Sequence, residues 1–197
     1  MFEKDQFIQD CIEAVKEGQA AIREVVQSAV SEPNKVISEL GEPEHAGITP
    51  LYRDFNLTII NFAWAPCMSL MPHNHQMFAV IGIYSGREDN VFWKRKENSI
   101  EAAGAASLGV GDVATLDENI IHSVLNPIAK MTTAIHVYGG DFFDPAKARS
   151  EWDHETLIES LWDIDKVEAQ FRESEERFNR YANATYCIQS SAEKSRH

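Results

Sequence analysis

The chain has few cysteines, few basic residues and no long apolar run. Cys11, Cys67 and Cys187 are widely spaced and form no CxxC pair, so the sequence indicates neither a disulfide framework nor a thiolate zinc site. Its 18 basic residues against 31 acidic ones leave a formal charge of −13, which argues against binding to nucleic acid or to anionic lipids. No apolar stretch is long enough to cross a membrane, and the first residues lack a signal-peptide layout. We therefore expect a cytoplasmic protein that does not bind membranes.

Hydrophobic periodicity divides the chain of 197 residues, which we expect to form one domain, into three parts. Apolar positions at helical spacing and a restart at Pro33 predict an N-terminal helical segment over 1–45. A similar apolar period, amid acidic residues, predicts a C-terminal helical segment over 151–185. The middle part, 51–145, consists of short β-rich runs.

Seven strands are predicted in the middle part. They cover 57–64, 67–72, 77–84, 90–96, 112–117, 122–126 and 131–140. Turn-like segments, such as 85–90 and 109–112, separate them. Several strands with no helices between them indicate an all-β sandwich or barrel.

Two histidines, His73 and His75, stand one residue apart in the stretch "MPHNHQMFAVIGIYSG", residues 71–86. On a strand, residues i and i+2 point to the same face, so the pair can present two imidazoles to one metal ion. The alternative is a pair of ordinary core or surface histidines, and an isolated H-x-H does not decide between them.

The spacing beyond the pair carries a resemblance to a known family. Residues 73–86 read H-x-H, three residues, Ala79, six residues and Gly86, which resembles the first cupin motif H-x-H-x(3,4)-E-x6-G with Ala79 at the glutamate position. The second cupin motif, G-x5-P-x-G-x2-H-x3-N, is similar to residues 111–126, in which His122 takes the histidine position.

This resemblance covers roughly residues 51–140. It implies an all-β core, a cupin double-stranded β-helix or jelly-roll barrel, with flanking N- and C-terminal α-helices. It also implies that His73, His75 and His122 converge inside the barrel on a metal ion. A cupin that has lost its metal is the alternative.

The absence of the glutamate narrows the resemblance. Imidazole suits Fe, Zn, Cu or Ni, so the three ligands do not choose the metal. Among cupins, the sequence is similar to the thiol dioxygenases, cysteine dioxygenase and 3-mercaptopropionate dioxygenase, which use three histidines on Fe(II). The resemblance implies an Fe(II)-dependent enzyme that oxidises the sulfur of a small thiol to a sulfinate with O₂. It also implies that Tyr138 carries no cross-link, because Ala79 offers no sulfur.

A second family feature is S-x-H-x-Y, which residues 134–138 resemble with Ala134 in place of the serine. The resemblance implies that the Tyr138 hydroxyl lies near substrate and oxygen and that His136 orients it. In the family the serine fixes the histidine, so another group would have to set the imidazole here.

A thiol carboxylate needs a cation to hold its carboxylate, and arginine is the best planar partner. Arg53 and Arg149 are the candidates, with a solvated surface position as the alternative for each. Two other hypotheses stay open: a three-histidine cupin oxygenase that acts on a substrate without sulfur, and a cupin that binds a metal or ligand without turnover. The sequence leaves the identity of the thiol and the oligomeric state open.

Overall fold

The computed structural model describes residues 2–144, 146 and 148–194, with side chains described as far as residue 182, so the Cys187 side chain lies outside the described residues. The chain begins with three helices, α1 (Lys4–Ala14), α2 (Gln19–Val30) and α3 (Pro33–Leu40). Gly18 lies between α1 and α2 with a φ of 98°. Residues with a side chain rarely adopt this backbone conformation, so a glycine suits the turn between the two helices. Pro33 occupies the first turn of α3, where its missing N–H costs nothing.

Strands make up most of the remaining described chain, and a long helix, α4 (Ile164–Lys194), ends it. The strands are β1 Gly47–Asp54, β2 Leu57–Trp64, β3 Ser69–Asn74, β4 Ala79–Ser85, β5 Arg87–Arg95, β6 Ile100–Gly109, β7 Val113–Leu116, β8 Ile121–Leu125, β9 Thr132–Tyr138, β10 Ser150–Trp152 and β11 Glu159–Leu161. No described helix is both long and apolar enough to cross a membrane.

The strands form two antiparallel sheets with the orders β1-β2-β9-β4-β7 and β11-β10-β3-β8-β5-β6. Within them, β5 pairs with β6, β4 with β7, β3 with β8 and β2 with β9, as if one long hairpin had been folded across itself. This nested pairing is the strand order of a jelly roll, that is, a double-stranded β-helix. The predicted fold class, a jelly roll flanked by helices at both ends, is therefore confirmed.

Strand β2 shows why its sequence is apolar throughout. Phe62 and Trp64 face the space between the two sheets, where the main core lies. Leu57 and Ile59 face the other way, into a second core formed with the N-terminal helices. A strand covered on both faces cannot show the polar–apolar alternation of a half-exposed one.

The N-terminal helices lie on the outer face of the five-stranded sheet. The Gln19 side chain donates to the carbonyl oxygens of Ala79 and Leu116 and so ties α2 to β4 and β7. Gly82 makes the close approach possible, because a Cβ there would lie 2.5 Å from Cγ1 of Val26. Helix α2 is thus held directly behind the strand that follows the histidine pair.

The predicted C-terminal helical segment is wrong over residues 151–163. The chain there forms the short hairpin β10–β11, and β10 extends the six-stranded sheet beside β3. The Asp153 side chain accepts hydrogen bonds from the backbone N–H groups of Glu155 and Thr156, and Leu157 has a φ of 53°, so the chain turns where a helix was expected. Leu161, an apolar residue within that predicted segment, is exposed.

The predicted strands in the middle part do not include β1 or β6, and the predicted start of β5, residue 90, lies three residues after the observed start at Arg87. Strand β1 begins before residue 51, and β6 is an Ala-, Gly- and Ser-rich edge strand whose side chains are mostly exposed. Such residues have little β-propensity, so only the pairing with β5 reveals β6. The predicted turn over 85–90 contracts to Gly86, at a φ of 81°, and β5 begins at Arg87.

Candidate metal centre

Three histidines meet inside the jelly roll. His73 lies on β3 opposite His122 on β8, and His75 follows the last residue of β3. The Nε2 atom of His75 is 3.2 Å from Nε2 of His73 and 3.4 Å from Nε2 of His122. All three side chains are buried. The nested hairpin therefore brings together residues that stand 47 positions apart in the sequence.

In His73 and His122, a hydrogen bond at Nδ1, on the side of the ring away from the cluster, determines which ring nitrogen carries the proton. His73 Nδ1 is 2.9 Å from the carbonyl oxygen of Met71, and His122 Nδ1 is 2.7 Å from Oδ1 of Asn90. Both partners are acceptors, so Nδ1 is the donor in each ring. The Nε2 lone pairs of His73 and His122 consequently point toward His75, as metal ligation requires.

Burial keeps the cluster uncharged. Desolvation lowers the pKa of His73 to about 4 and lowers the pKa of His75 and His122 well below the ordinary value for histidine. Even if the neutral His75 carries its proton on Nε2, that single N–H faces two Nε2 lone pairs, those of His73 and His122. A cation between them removes that conflict.

The two distances from Nε2 of His75 to the other imidazoles fit one metal ion, and the ligand atoms of all three histidines lie within 4.8 Å of one another. Ligand nitrogens at about 2.1 Å from an ion, at octahedral or tetrahedral angles, lie about 3.0–3.4 Å apart. The contacts of 3.2 and 3.4 Å lie within that range. The cluster found among the described residues contains no carboxylate, and Ala79, at the position of the cupin glutamate, is fully buried. The protein thus has a three-histidine cluster that fits a metal site.

A narrow cavity adjoins the cluster, with room for little more than a water molecule. Its walls are mostly apolar and aromatic. The lining side chains besides the three histidines are Ile48, Phe62, Trp64, Leu70, Val124, His136, Tyr138, Phe142, Trp162 and Val167. The Trp162 ring centroid lies 4.9 Å from that of His73, so the segment before α4 covers the cluster directly.

His136 and Tyr138 lie on β9 and both line the cavity. The Tyr138 hydroxyl oxygen is 3.1 Å from Nδ1 of His136, and its ring centroid is 5.1 Å from that of His75. Burial raises the pKa of Tyr138, so it keeps its proton at neutral pH. Ala79 is the cross-strand partner of Tyr138, so no sulfur is available at the position from which a cross-link would come.

The structure separates the two candidate arginines. Arg53 is half-exposed and makes a bidentate ion pair with Asp141, with nitrogen–oxygen distances of 2.7 and 2.9 Å. Neither arginine is among the side chains that line the cavity. The expected role of Arg53 as a substrate anchor is a poor fit to its position, because the guanidinium already holds a carboxylate at the surface.

Arg149, in contrast, is buried beside the cavity. Its guanidinium carbon lies 4.5 Å from the Phe142 ring centroid and 5.0 Å from that of Trp162. One nitrogen, Nη2, donates to the carbonyl oxygen of Phe142 at 2.7 Å, whereas Nη1 has no hydrogen-bond partner among the described residues. Burial lowers the pKa of Arg149 to about 10, so it remains a cation at neutral pH, and its charge acts on Tyr138 and His75.

Sequence reasoning missed two polar residues near the cluster. Glu88, placed in a predicted turn, and Asn90, placed where that turn meets the predicted strand 90–96, are both buried on β5, where residues i and i+2 face the interior together. Oε2 of Glu88 lies 3.5 Å from Nε2 of His136, the ring that lacks a serine partner because of Ala134. A strand assignment over 87–90 was the only signal that would have placed both side chains inside.

Comparison with known proteins gives only distant similarities. The sequence matches no protein-family model and no curated protein. Among solved structures, it is similar to an RmlC-like cupin family protein with a double-stranded β-helix fold from Methanocaldococcus jannaschii, with a TM-score of 0.44 and 10% identity over 52% of this chain and 86% of that one. A Klebsiella pneumoniae protein with a double-stranded β-helix domain gives a TM-score of 0.41 and 10% identity over 62% and 88% of the two chains.

Oxalate decarboxylase from Bacillus subtilis is a further structure with some similarity. Its TM-score is 0.41 and its identity 15%, over 49% of this chain and 24% of that one. At such values the activities of these proteins say nothing about this chain. The fold assignment rests on its own strand order.

Proposed function

We propose that this protein is a mononuclear non-haem Fe(II) dioxygenase of the thiol dioxygenase type. It would add both atoms of O₂ to the sulfur of a small thiol, so that R–SH and O₂ give R–SO₂H with no other reductant. The observation that carries the proposal is the cluster of three buried imidazoles without a carboxylate, faced by Tyr138. The resemblance of the histidine motifs to those of thiol dioxygenases supports the choice of reaction.

His73, His75 and His122 would hold the metal through their Nε2 atoms. Imidazole ligands suit iron and also Zn, Cu and Ni, so the choice of Fe(II) follows from the proposed reaction. When bound, Fe(II) supplies the redox chemistry, the open coordination positions and the positive charge that favours a thiolate over a thiol.

Tyr138 and His136 would act on the reacting groups. The Tyr138 hydroxyl lies on the cavity wall beside His75 and remains protonated, so it can form a hydrogen bond with the substrate or with oxygen. His136 holds that hydroxyl through Nδ1. The apolar walls exclude bulk water, which strengthens each polar contact inside.

Arg149 would bind the carboxylate of the substrate. Its unpartnered Nη1 is a buried cationic donor next to the rings of Phe142 and Trp162, both of which line the cavity. A carboxylate is the planar acceptor that a guanidinium binds best. This favours a substrate that carries a carboxylate, such as a short thiol carboxylate similar to 3-mercaptopropionate or cysteine.

Oxygen consumption by the Fe(II)-loaded protein tests the proposal. We expect uptake with 3-mercaptopropionate or cysteine, formation of the corresponding sulfinate, and incorporation of both atoms from ¹⁸O₂ in the product. Thiol-independent uptake with other substrates would instead support a three-histidine oxygenase that acts on carbon. A protein that binds metal tightly but consumes no oxygen with any substrate would support a non-catalytic metal-binding cupin.

A further inference from the structure

A fully buried carboxylate stands between the histidine cluster and the Tyr138 hydroxyl. Glu88 is 0% exposed and Asn90 is 2% exposed, and both side chains point inward from β5. Burial of a carboxylate is costly unless the charge is paired and hydrogen-bonded. Among the described residues, Glu88 makes no ion pair with an arginine or lysine, and its Oε2 atom lies 3.5 Å from Nε2 of His136. Its position therefore calls for an explanation other than a simple salt bridge.

The two carboxylate oxygens of Glu88 face two different side chains, and each begins a chain of polar contacts, called a branch here, that leads toward the cavity. Oε1 accepts a hydrogen bond from Nδ2 of Asn90 at 2.9 Å, and Oε2 lies 3.5 Å from Nε2 of His136. These two atoms do not form a hydrogen bond at that distance, and neither has a hydrogen-bond partner among the described residues, so two buried polar atoms face each other unsatisfied. Each branch continues toward the cavity, through Asn90 to His122 and through His136 to Tyr138.

We infer that Glu88 is a positioning residue that fixes the protons of both branches, presenting the Nε2 lone pair of His122 to a metal and holding His136 against Tyr138. The Asn90 amide turns its NH₂ to an oxygen of Glu88, which accepts, and its own oxygen to Nδ1 of His122. His122 must then carry its proton on Nδ1.

The same reasoning applies to the second branch. A carboxylate oxygen next to His136 Nε2 places a proton on that nitrogen, which leaves Nδ1 to accept from the Tyr138 hydroxyl. Glu88 thus takes the place of the serine that Ala134 does not provide. The role assigned to His122 needs only a metal, whereas the role assigned to Tyr138 rests on the proposed function.

Nitrogen-15 NMR of the full-length protein tests the inference without any turnover. Long-range ¹H–¹⁵N correlations report which ring nitrogen of each histidine is protonated. In the wild type we expect His122 protonated at Nδ1 and His136 protonated at Nε2. A wild-type His136 with an unprotonated Nε2 would overturn the inference before any variant is made.

The variant Glu88→Gln keeps the shape of the side chain but can accept on one side only. Either its NH₂ faces His136 and moves the His136 proton to Nδ1, or it faces Asn90, turns the amide and moves the His122 proton to Nε2. In the second case we expect Zn²⁺ affinity to fall about 10- to 100-fold. In the first case Zn²⁺ affinity is kept and turnover of a thiol falls by a similar factor.

Two further variants separate the branches. Asn90→Leu should weaken Zn²⁺ binding and leave the His136 proton on Nε2. Glu151→Gln is the matched control, because Glu151 is an equally buried carboxylate that pairs with Lys166, and neither histidine should change. Unchanged tautomers and Zn²⁺ affinity in Glu88→Gln would refute the inference. Altered tautomers in a protein that oxidises no thiol would refute only the proposed function.

Discussion

Replacement of Arg149 by methionine should leave the protein folded and, if Arg149 anchors the substrate as proposed, remove the preference for substrates that carry a carboxylate. The charged guanidinium contributes a hydrogen bond to Phe142, worth about 1.5–3 kcal/mol, and contacts with two aromatic rings, worth about 2 kcal/mol when buried. Against this, the fall of its pKa from 12.5 to about 10 corresponds to about 3 kcal/mol of unfavourable burial.

These opposing contributions nearly cancel. Methionine keeps the apolar stem between the rings, so we expect Arg149→Met to change the free energy of unfolding in urea by only about 1 kcal/mol. If Arg149 binds the substrate carboxylate, the loss of that partner costs about 2–5 kcal/mol, so kcat/KM for 3-mercaptopropionate should fall about 30-fold or more. A thiol without a carboxylate, such as cysteamine, should show no such fall.

Arg53→Met is the matched control. It removes an exposed bidentate ion pair with Asp141, which contributes at most about 1 kcal/mol, and should leave kcat/KM unchanged. A loss of stability above about 3 kcal/mol in Arg149→Met would show that the guanidinium is mainly structural. Equal losses of kcat/KM with and without the substrate carboxylate would refute the anchoring role.

Three other changes have expected outcomes. His122→Ala should lower metal affinity at least about 100-fold in a competition titration, whereas Tyr138→Phe should retain the metal and lower kcat; full metal retention in the first variant would exclude the site. Phe171→Ala should cost about 3–5 kcal/mol in urea unfolding, since the ring is buried and stacks on Trp64 with centroids 5.0 Å apart, while Phe55→Ala, at an exposed ring, should cost under about 0.5 kcal/mol. In a Cys187→Ser background at pH 8, Cys67 should react with a thiol reagent and Cys11 should not, because burial raises the pKa of Cys11 to about 12; rapid reaction of two thiols would contradict this.

The histidine cluster was predictable because jelly-roll pairing fixes the intervals between its members. His73 and His75 follow the period of a strand, and His122 lies opposite His73 on the paired strand. The order and spacing of the two motifs therefore predicted that the three histidines meet, which no single histidine could do. The N-terminal helices were predictable for a similar local reason, since their apolar faces repeat with the helical period.

The remaining features depend on tertiary contacts that leave no local pattern. Strand β6 has the composition of a loop and is a strand because β5 lies beside it. Glu88 and Asn90 resemble turn residues, and their burial becomes evident only when the strand and its facing histidines are known. The hairpin β10–β11 was missed because its exposed apolar residues imitate a helical face. In each case long-range pairing overrode local propensity.

The nested pairing of the strands also has a consequence for the order of folding. Loop-closure entropy favours contacts between residues that are close in sequence, so the β5–β6 hairpin is the least costly nucleus and each enclosing pair closes a longer loop. The pair β3–β8, which carries His73 and His122, closes after β4–β7. Because His75 and His122 are 47 residues apart, a metal ion has no preassembled site in the early chain. A metal ion would therefore bind late in folding. It would slow the unfolding of the barrel more than it accelerates its folding.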